Sequence, residues 1–410
     1  MNRPLRLYII FLFFVPLYLS AQNGWVNYNN GVTSADLNSI TLIGNNNRWI
    51  AGNNGTIIKT ADSGNTWEIQ ASNTNSNLYS IHFIDDSTGW CAGTNGTLLK
   101  TTNGGALWIK LQPGSAELIY AVRFADLDTG WITGSGGLIM KSTDGGEKWS
   151  FQNTDIGVSL FDLFILNNST GWACAEDGYV IKTTDGGKNW IRLSSLVEND
   201  LHSIHFINEN YGWAAGNEGA IIRTTDGGAN WLPCSGTGGV NFYSVYFYDS
   251  LNGWAAGEQG ALYKSADGGA NWIKDNFSSF NDLLMIKFTS PTEGWIIGKN
   301  GTIFKTTDGG GTLSNDNNFD KEPSAFYLSQ NYPNPFNLST NIKYEVPETS
   351  FVILKIFDSL GREVAMLKNE IQSAGSYSIS FNASNFASGT YFYQLQAGAV
   401  LFAKKMILLK

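Results

Sequence analysis

Cysteine, histidine and charge are what this chain has least of: three Cys, three His and 15% charged residues in 410. Three cysteines cannot build a disulfide scaffold, and Cys91, Cys174 and Cys234 show no metal-binding spacing, so they read as small buried residues. The histidines, His82, His202 and His205, form no His-Glu-x-x-His motif. On an expected strand, His202 and His205 point to opposite faces, so neither a metal site nor a cofactor is expected. Long apolar runs are scarce as well. The one over residues 7–19 is shorter than the ~18 to 20 residues a spanning helix needs. Preceded by Arg3 and Arg6 and followed by Leu19-Ser20-Ala21, it reads as a secretory signal covering residues 1–21, and no transmembrane segment is expected in the mature chain. With those two arginines removed, 24 Lys and Arg face 35 Asp and Glu. Such an acidic chain repels nucleic-acid phosphates, which excludes nucleic acid as a partner.

Against these scarcities stand 14 Trp, 46 Gly and 13% aromatic residues, more burial than a disordered chain carries. Trp49, Trp90, Trp131, Trp172, Trp213, Trp254 and Trp295 recur every 41 residues, and so do Trp67, Trp108, Trp149, Trp190, Trp231 and Trp272. Between the two series lies a fixed frame: Gly-Trp (Arg48-Trp49 in the first copy), a Gly three residues on (Ala175 in the fourth), another Gly, an apolar pair, a cation and a turn. Apolar alternation broken by Gly or Asn-Gly predicts four short strands per copy, near 79–85, 88–93, 97–102 and 107–111 in the second. Four strands in 41 residues is the size of a propeller blade, and seven copies predict an all-β, seven-bladed β-propeller over residues 22–311. The last copy lacks its closing Trp, while Trp25 precedes the first. The N-terminal strand is therefore expected to close the seventh blade.

The turn Ser/Thr-x-Asp-x-Gly-x-x-Trp, as in Thr183 to Trp190, resembles the Asp box of bacterial neuraminidase repeats, and the whole frame is similar to the propellers of photosystem II stability and assembly factors. The box acids are Asp62, Asp144, Asp185, Asp226, Asp267 and Asp308, with Asn103 in the second copy. That fold puts the box between third and fourth strands, where the acid would accept backbone N–H groups, a task Asn103 can share. Each box Trp is expected to cover a turn as core, with carbohydrate stacking the functional alternative. The cations Lys59, Lys100, Lys141, Lys182, Arg223, Lys264 and Lys305 are expected as solvated side chains near the box acids, against a ring for an acidic ligand.

Asp boxes suggest sialidase chemistry, but the five Arg beyond the signal (Arg48, Arg123, Arg192, Arg223 and Arg362) fall at unrelated repeat positions, and the Arg-Ile-Pro signature of that family is absent. No catalytic residue is assigned. Glycosidase carboxylates could be drawn from Asp155, Asp162, Glu176, Asp177, Asp200 and Glu218, though no spacing pairs them. Binding is expected where copies differ: at Tyr79, Tyr120, Phe161, His202 and Tyr243, which open the inner strands, and at Glu176, Asp177, Glu218 and Glu258 between second and third strands. Aromatic and acidic groups together suit a peptide, a glycan or a basic protein surface, although the aromatics could simply wedge blades apart.

Residues 312–325 read as a polar linker. Residues 326–410 alternate as a small β-sandwich and resemble the type IX (Por) secretion C-terminal sorting domain. The motif residues are Asn331, Tyr332, Pro333, Asn334, Pro335, Phe336 and Asn337, then Gly361, Gly389, Lys404 and Lys405, with Leu338 where that family usually has Pro. The resemblance implies handling by the type IX machinery and a secreted or cell-surface location. The expectation is an exported binding or scaffolding module without enzymatic activity. A polysaccharide-acting glycoside hydrolase and an assembly-factor-like chaperone are the alternatives.

Overall fold

The structure, a computed structural model, describes residues 24–277, 279–311, 326–329, 331, 334–373, 375–398 and 400–409. The expected signal peptide and linker, and Tyr332 and Pro333 of the sorting motif, lie outside the described residues. These residues fall into two compact units, one within 24–311 and one within 326–409.

Among the described residues the first unit consists of seven four-stranded antiparallel sheets. In blade 2 the strands are Leu78–Phe83, Gly89–Gly93, Leu98–Thr101 and Ile109–Leu111. The second strand is buried at all five positions, because it is covered by a neighbouring blade on each face, which is why it reads as continuous apolar and small residues. The inner strand of each blade packs on that of the next, and the seventh packs on the first, so the array is a closed ring. Closure is made by Trp25–Asn27, which pairs antiparallel with Ile303–Thr306 as the fourth strand of blade 7.

The two tryptophan series meet at the seams. Trp90 of blade 2 stacks flat on Phe124 of blade 3, with centroids 3.6 Å apart and planes 7° apart, and Trp149 stands edge-on to the same Phe at 5.9 Å and 86°. The same trio forms from Trp49, Phe83 and Trp108, from Trp172, Phe206 and Trp231, and from Trp213, Phe247 and Trp272. In blade 7, Trp25 takes the edge-on place against Phe288, at 6.0 Å and 77°. This geometry explains the Gly before each second-strand Trp: a Cβ at Gly130 would meet the Phe124 ring at 2.5 Å. Blade 1 changes both partners together. Leu42 replaces the Phe, and the room it leaves is used by Arg48, fully buried over the Trp295 ring at 5.9 Å. The Arg48 guanidinium donates to the carbonyls of Ile43, Gly44, Asn45 and Asn47 and to Glu293 at 3.2 Å.

The cations differ from the solvated placement expected of them. Lys182 lies 5.0 Å over its own Trp172 ring and donates to the carbonyl of Gly227, in the next blade's box, at 3.0 Å. Lys59, Lys141 and Arg223 make the same bond 45 residues ahead. A box glycine carbonyl at the seam is a fixed acceptor, whereas an exposed carboxylate pair in water gains little.

The second unit is a sandwich. One sheet holds Tyr327–Leu328, Ser339–Val346 and Gly375–Asn382, and the other holds Glu363–Gln372, Ser350–Asp358, Gly389–Ala397 and Val400–Leu408. Alternating residues such as Ile342, Tyr344, Leu354, Ile356, Tyr393 and Met406 form its core.

Candidate functional site

Every inner strand carries a β-bulge after its first residue, as between Leu201 and Ser203. The extra residue resets the alternation. His202 and His205 consequently both join rings of side chains that pass from blade to blade around the axis, and they do not point to opposite faces as strict alternation predicts. The two rings sit at opposite ends of the inner strands.

At the first end, Tyr79, Tyr120, Phe161, His202 and Tyr243 form a continuous collar across blades 2 to 6, with successive centroids 5.9, 5.1, 5.0 and 5.9 Å apart. All five are half-buried, so each packs on its neighbours and stays partly open to solvent. Burial, with Tyr79 second, raises the Tyr120 hydroxyl above its usual value. Burial followed by Asp282 does the same at Tyr243. Both hydroxyls stay protonated and act as neutral hydrogen-bonding groups.

The turns between second and third strands flank this collar. Glu176 accepts from the Ser159 N–H at 3.0 Å, and Glu258 accepts from both the N–H and the side-chain amide of Asn241. Glu218 accepts from Asn199, and His202 Nε2 pairs with Asn217 Oδ1 at 2.8 Å. Asp177 and Glu218 occupy the left-handed position of their turns, at φ 55° and 56°. Their N–H groups are received by Asp200 and Asn241, side chains 23 residues ahead. Asp36, Asn77 and Asp282 receive the equivalent N–H groups of Asn300, Asn54 and Gln259. Several carboxylates weighed as glycosidase candidates therefore already have partners: Asp200 holds a turn, Asp162 is ion-paired to Arg123 at 3.0 Å, and Glu176 holds a loop.

The box acids point back into their own turns. Asp185 Oδ1 accepts from the Asn189 N–H at 2.9 Å and from the Thr183 hydroxyl at 3.0 Å, and Asn103 Oδ1 accepts from Leu107 N–H and the Thr101 hydroxyl in the same way. Asp62, Asp144, Asp226 and Asp267 accept the N–H four residues on, and Asp308 those of Gly310 and Gly311. The backbone bond from Asn189, followed by its side-chain amide, pulls the Asp185 carboxyl down to about 2. The cysteines are free thiols, and burial pushes Cys91 and Cys174 upward, away from nucleophilic use. Among the described residues, no group of three or more His, Cys, Asp or Glu could hold a metal.

At the second end, a ring from position 41 onward at the same 41-residue spacing carries Thr41, His82, Arg123, Phe164, His205, Tyr246 and Lys287 around a cavity of about 360 Å³. Sequence reasoning did not single out this ring. The available signal was a repeat position on an otherwise apolar strand that carries a different polar side chain in most copies.

In the second unit, Asn331 is buried, with its N–H on the Tyr393 hydroxyl and its amide on Thr340. Asn334 accepts from Ile407 N–H, and Phe336 is buried and bonded to Ile407 and Leu409 through its backbone. Pro335 and Asn337 are exposed beside it. Gly361 lies in the Asp358 to Arg362 turn, and Gly389 opens a strand that pairs with the one carrying Lys404 and Lys405.

Residues 330–409 match the family model of the secretion system C-terminal sorting domain. No curated protein matches the chain. Among solved structures, YCF48 bound to D1 peptide is similar at 24% identity and a TM-score of 0.60, covering 70% of this chain and 97% of that one. YCF48 from Cyanidioschyzon merolae is similar at 21% identity and a TM-score of 0.60, covering 69% and 98%. The WD40 propeller domain of Doa1, at 9% identity and 0.56, shares the architecture. The family model described as photosynthesis system II assembly factor YCF48 matches residues 19–102, 103–233, 193–278 and 232–306, and the chain belongs to that family.

Proposed function

We propose that this propeller is an exported, non-enzymatic module that binds a cationic polypeptide segment on the collar face. The observation that carries the reading is the collar itself: five half-buried rings in unbroken contact, flanked by Glu176, Asp177, Glu218 and Glu258. Aromatic faces with carboxylates beside them attract Lys and Arg side chains by cation–π and ionic contacts together. A polypeptide is the class to test because a similar structure is YCF48 bound to a peptide. The sorting domain supports export by the type IX machinery to the cell surface or the medium, where the sandwich is read by the exporter and the propeller does the binding.

The test is fluorescence anisotropy with a Lys/Arg-rich peptide, an acidic peptide of equal length and a neutral oligosaccharide. The basic peptide should bind, and Tyr120→Ala with Phe161→Ala should weaken it while thermal unfolding still shows a folded ring. Preference for the oligosaccharide, or reducing-sugar release lost on replacing a face carboxylate, would contradict the reading.

A further inference from the structure

The cavity at the second end of the inner strands has a chemistry of its own, independent of the collar. Its polar lining is almost wholly committed. Arg123 donates through Nη1 to the Ser80 hydroxyl and Val122 carbonyl, and through Nη2 to Asp162 at 3.0 Å. Asp162 also accepts the N–H groups of Leu163 and Ile204. The Nε2 atoms of His82 and His205 lie 3.0 and 2.9 Å from the carbonyls of Phe124 and Phe247, and the Tyr246 hydroxyl donates to that of Phe288. The Arg123–Asp162 pair, the Asp162–Ile204 bond and the His82, His205 and Tyr246 bonds each reach the next blade, so the ring is pre-organised. Lys287 is the exception. Among the described residues it has no hydrogen bond or ion pair, although it is only partly exposed, lies within reach of the charges of Arg123 and Asp162, and acts in turn on His82 and His205.

The charges decide what would fit. Burial, with Arg123 and Lys287 adding to it, holds His82 down at about 3; burial and Lys287 hold His205 at about 4, so both rings are neutral near pH 7. Arg123 and Asp162 cancel, which leaves the ammonium of Lys287 as the uncompensated charge. Burial and Arg123 push that amine down to about 7, the mark of a cation lacking a counter-ion. One ammonium with three free N–H donors suits one carboxylate. It suits a phosphate dianion poorly, because the histidine N–H groups are already bonded to carbonyls. The remaining walls, including Leu42, Leu163, Phe164 and Ile165, are apolar, and a cavity of about 360 Å³ is in the range of small-ligand sites.

We propose that this cavity binds a small organic monocarboxylate, with its carboxylate on Lys287 and its apolar body against Phe164 and Ile165. Such an anion stabilises the charged amine, so binding should strengthen as pH falls through about 7, with His82, Arg123, Asp162, His205 and Tyr246 as the titratable groups facing Lys287.

The experiment is isothermal titration of the full chain with benzoate, acetate and inorganic phosphate at pH 6 and pH 8. Expected are saturable, one-to-one binding of benzoate, tighter than acetate and tighter at pH 6, a loss of about tenfold or more in Lys287→Met, and retention in Lys287→Arg. Lys287→Met removes an unpaired charge and should stay folded, which thermal unfolding checks. The proposal is overturned by any of three results: no saturable benzoate binding in the folded wild-type chain, equal binding by Lys287→Met, or phosphate bound as tightly as benzoate.

Discussion

Replacing Trp25 with Ala removes the side chain that stands in for the missing box Trp of blade 7. Trp25 is fully buried, edge-on to Phe288 at 6.0 Å and to Phe277 at 6.4 Å, on a strand held to blade 7 by the pairs Trp25 with Thr306, Val26 with Lys305 and Asn27 with Phe304. Truncating a buried Trp costs about 3 to 5 kcal/mol, and this residue also anchors a three-residue strand that has little else to hold it in register. If the ring is one cooperative unit closed by that strand, the whole cost falls on global stability. The urea midpoint should move down in a single transition, and the melting temperature should fall by roughly 6 to 10 °C at about 2 °C per kcal/mol for a domain of this size. Far-UV circular dichroism followed in parallel with tryptophan fluorescence shows whether the two signals still coincide. A change below about 1 kcal/mol, or a separate early transition confined to one blade, would refute closure as the source of cooperativity.

Three further outcomes follow from the seams and turns. Lys182→Met loses a charged hydrogen bond to Gly227 and the cation over Trp172, and should lower stability by about 2 kcal/mol in urea titration; a solvated lysine would give almost no change. Arg48→Gly should destabilise by several kcal/mol and Leu42→Phe alone by crowding, while the double variant rebuilds the Phe-on-Gly seam of blades 2, 3, 5, 6 and 7, so a double-mutant cycle should show a favourable coupling of about 1 kcal/mol or more. The Asp185 carboxyl is held at about 2, below its ordinary value, so its stabilisation is present above pH ~4 and is lost as pH falls from ~4 toward 2. Asp185→Asn keeps the Oδ1 acceptor as Asn103 does but sets its NH2 against the Asn189 amide that Oδ2 now receives, so it should flatten the acid limb of a pH–stability curve and modestly lower the melting temperature at pH 7.

The 41-residue period made the fold legible, because every blade must present the same Trp, Gly and turn to its neighbours. Trp25 was legible for the same reason, as the replacement for one missing member of a series. Properties created between blades were harder to read. Lys182 looks solvated within its own copy, and only the next blade, 45 residues on, supplies its acceptor. His202 and His205 look opposed until the bulge at His202 is known. Arg48 reads as a lapse from the Gly-Trp frame until Leu42 is seen to leave it the room that a Phe fills elsewhere. The cavity was hardest, since Arg123, Asp162 and Lys287 come from three blades and share no local motif. The collar aromatics were visible as residues opening the inner strands, but their unbroken ring-to-ring contact depended on the closed array.

The collar face is tested most directly by hydrogen–deuterium exchange of the full chain with and without a Lys/Arg-rich peptide. Protection should concentrate where the inner strands begin, around 78–80, 119–121, 160–162, 201–203 and 242–244, and in the turns at 176–178, 217–219 and 258–260. Protection confined to the Asp-box turns, such as 183–190, with the collar segments unchanged, would contradict the account.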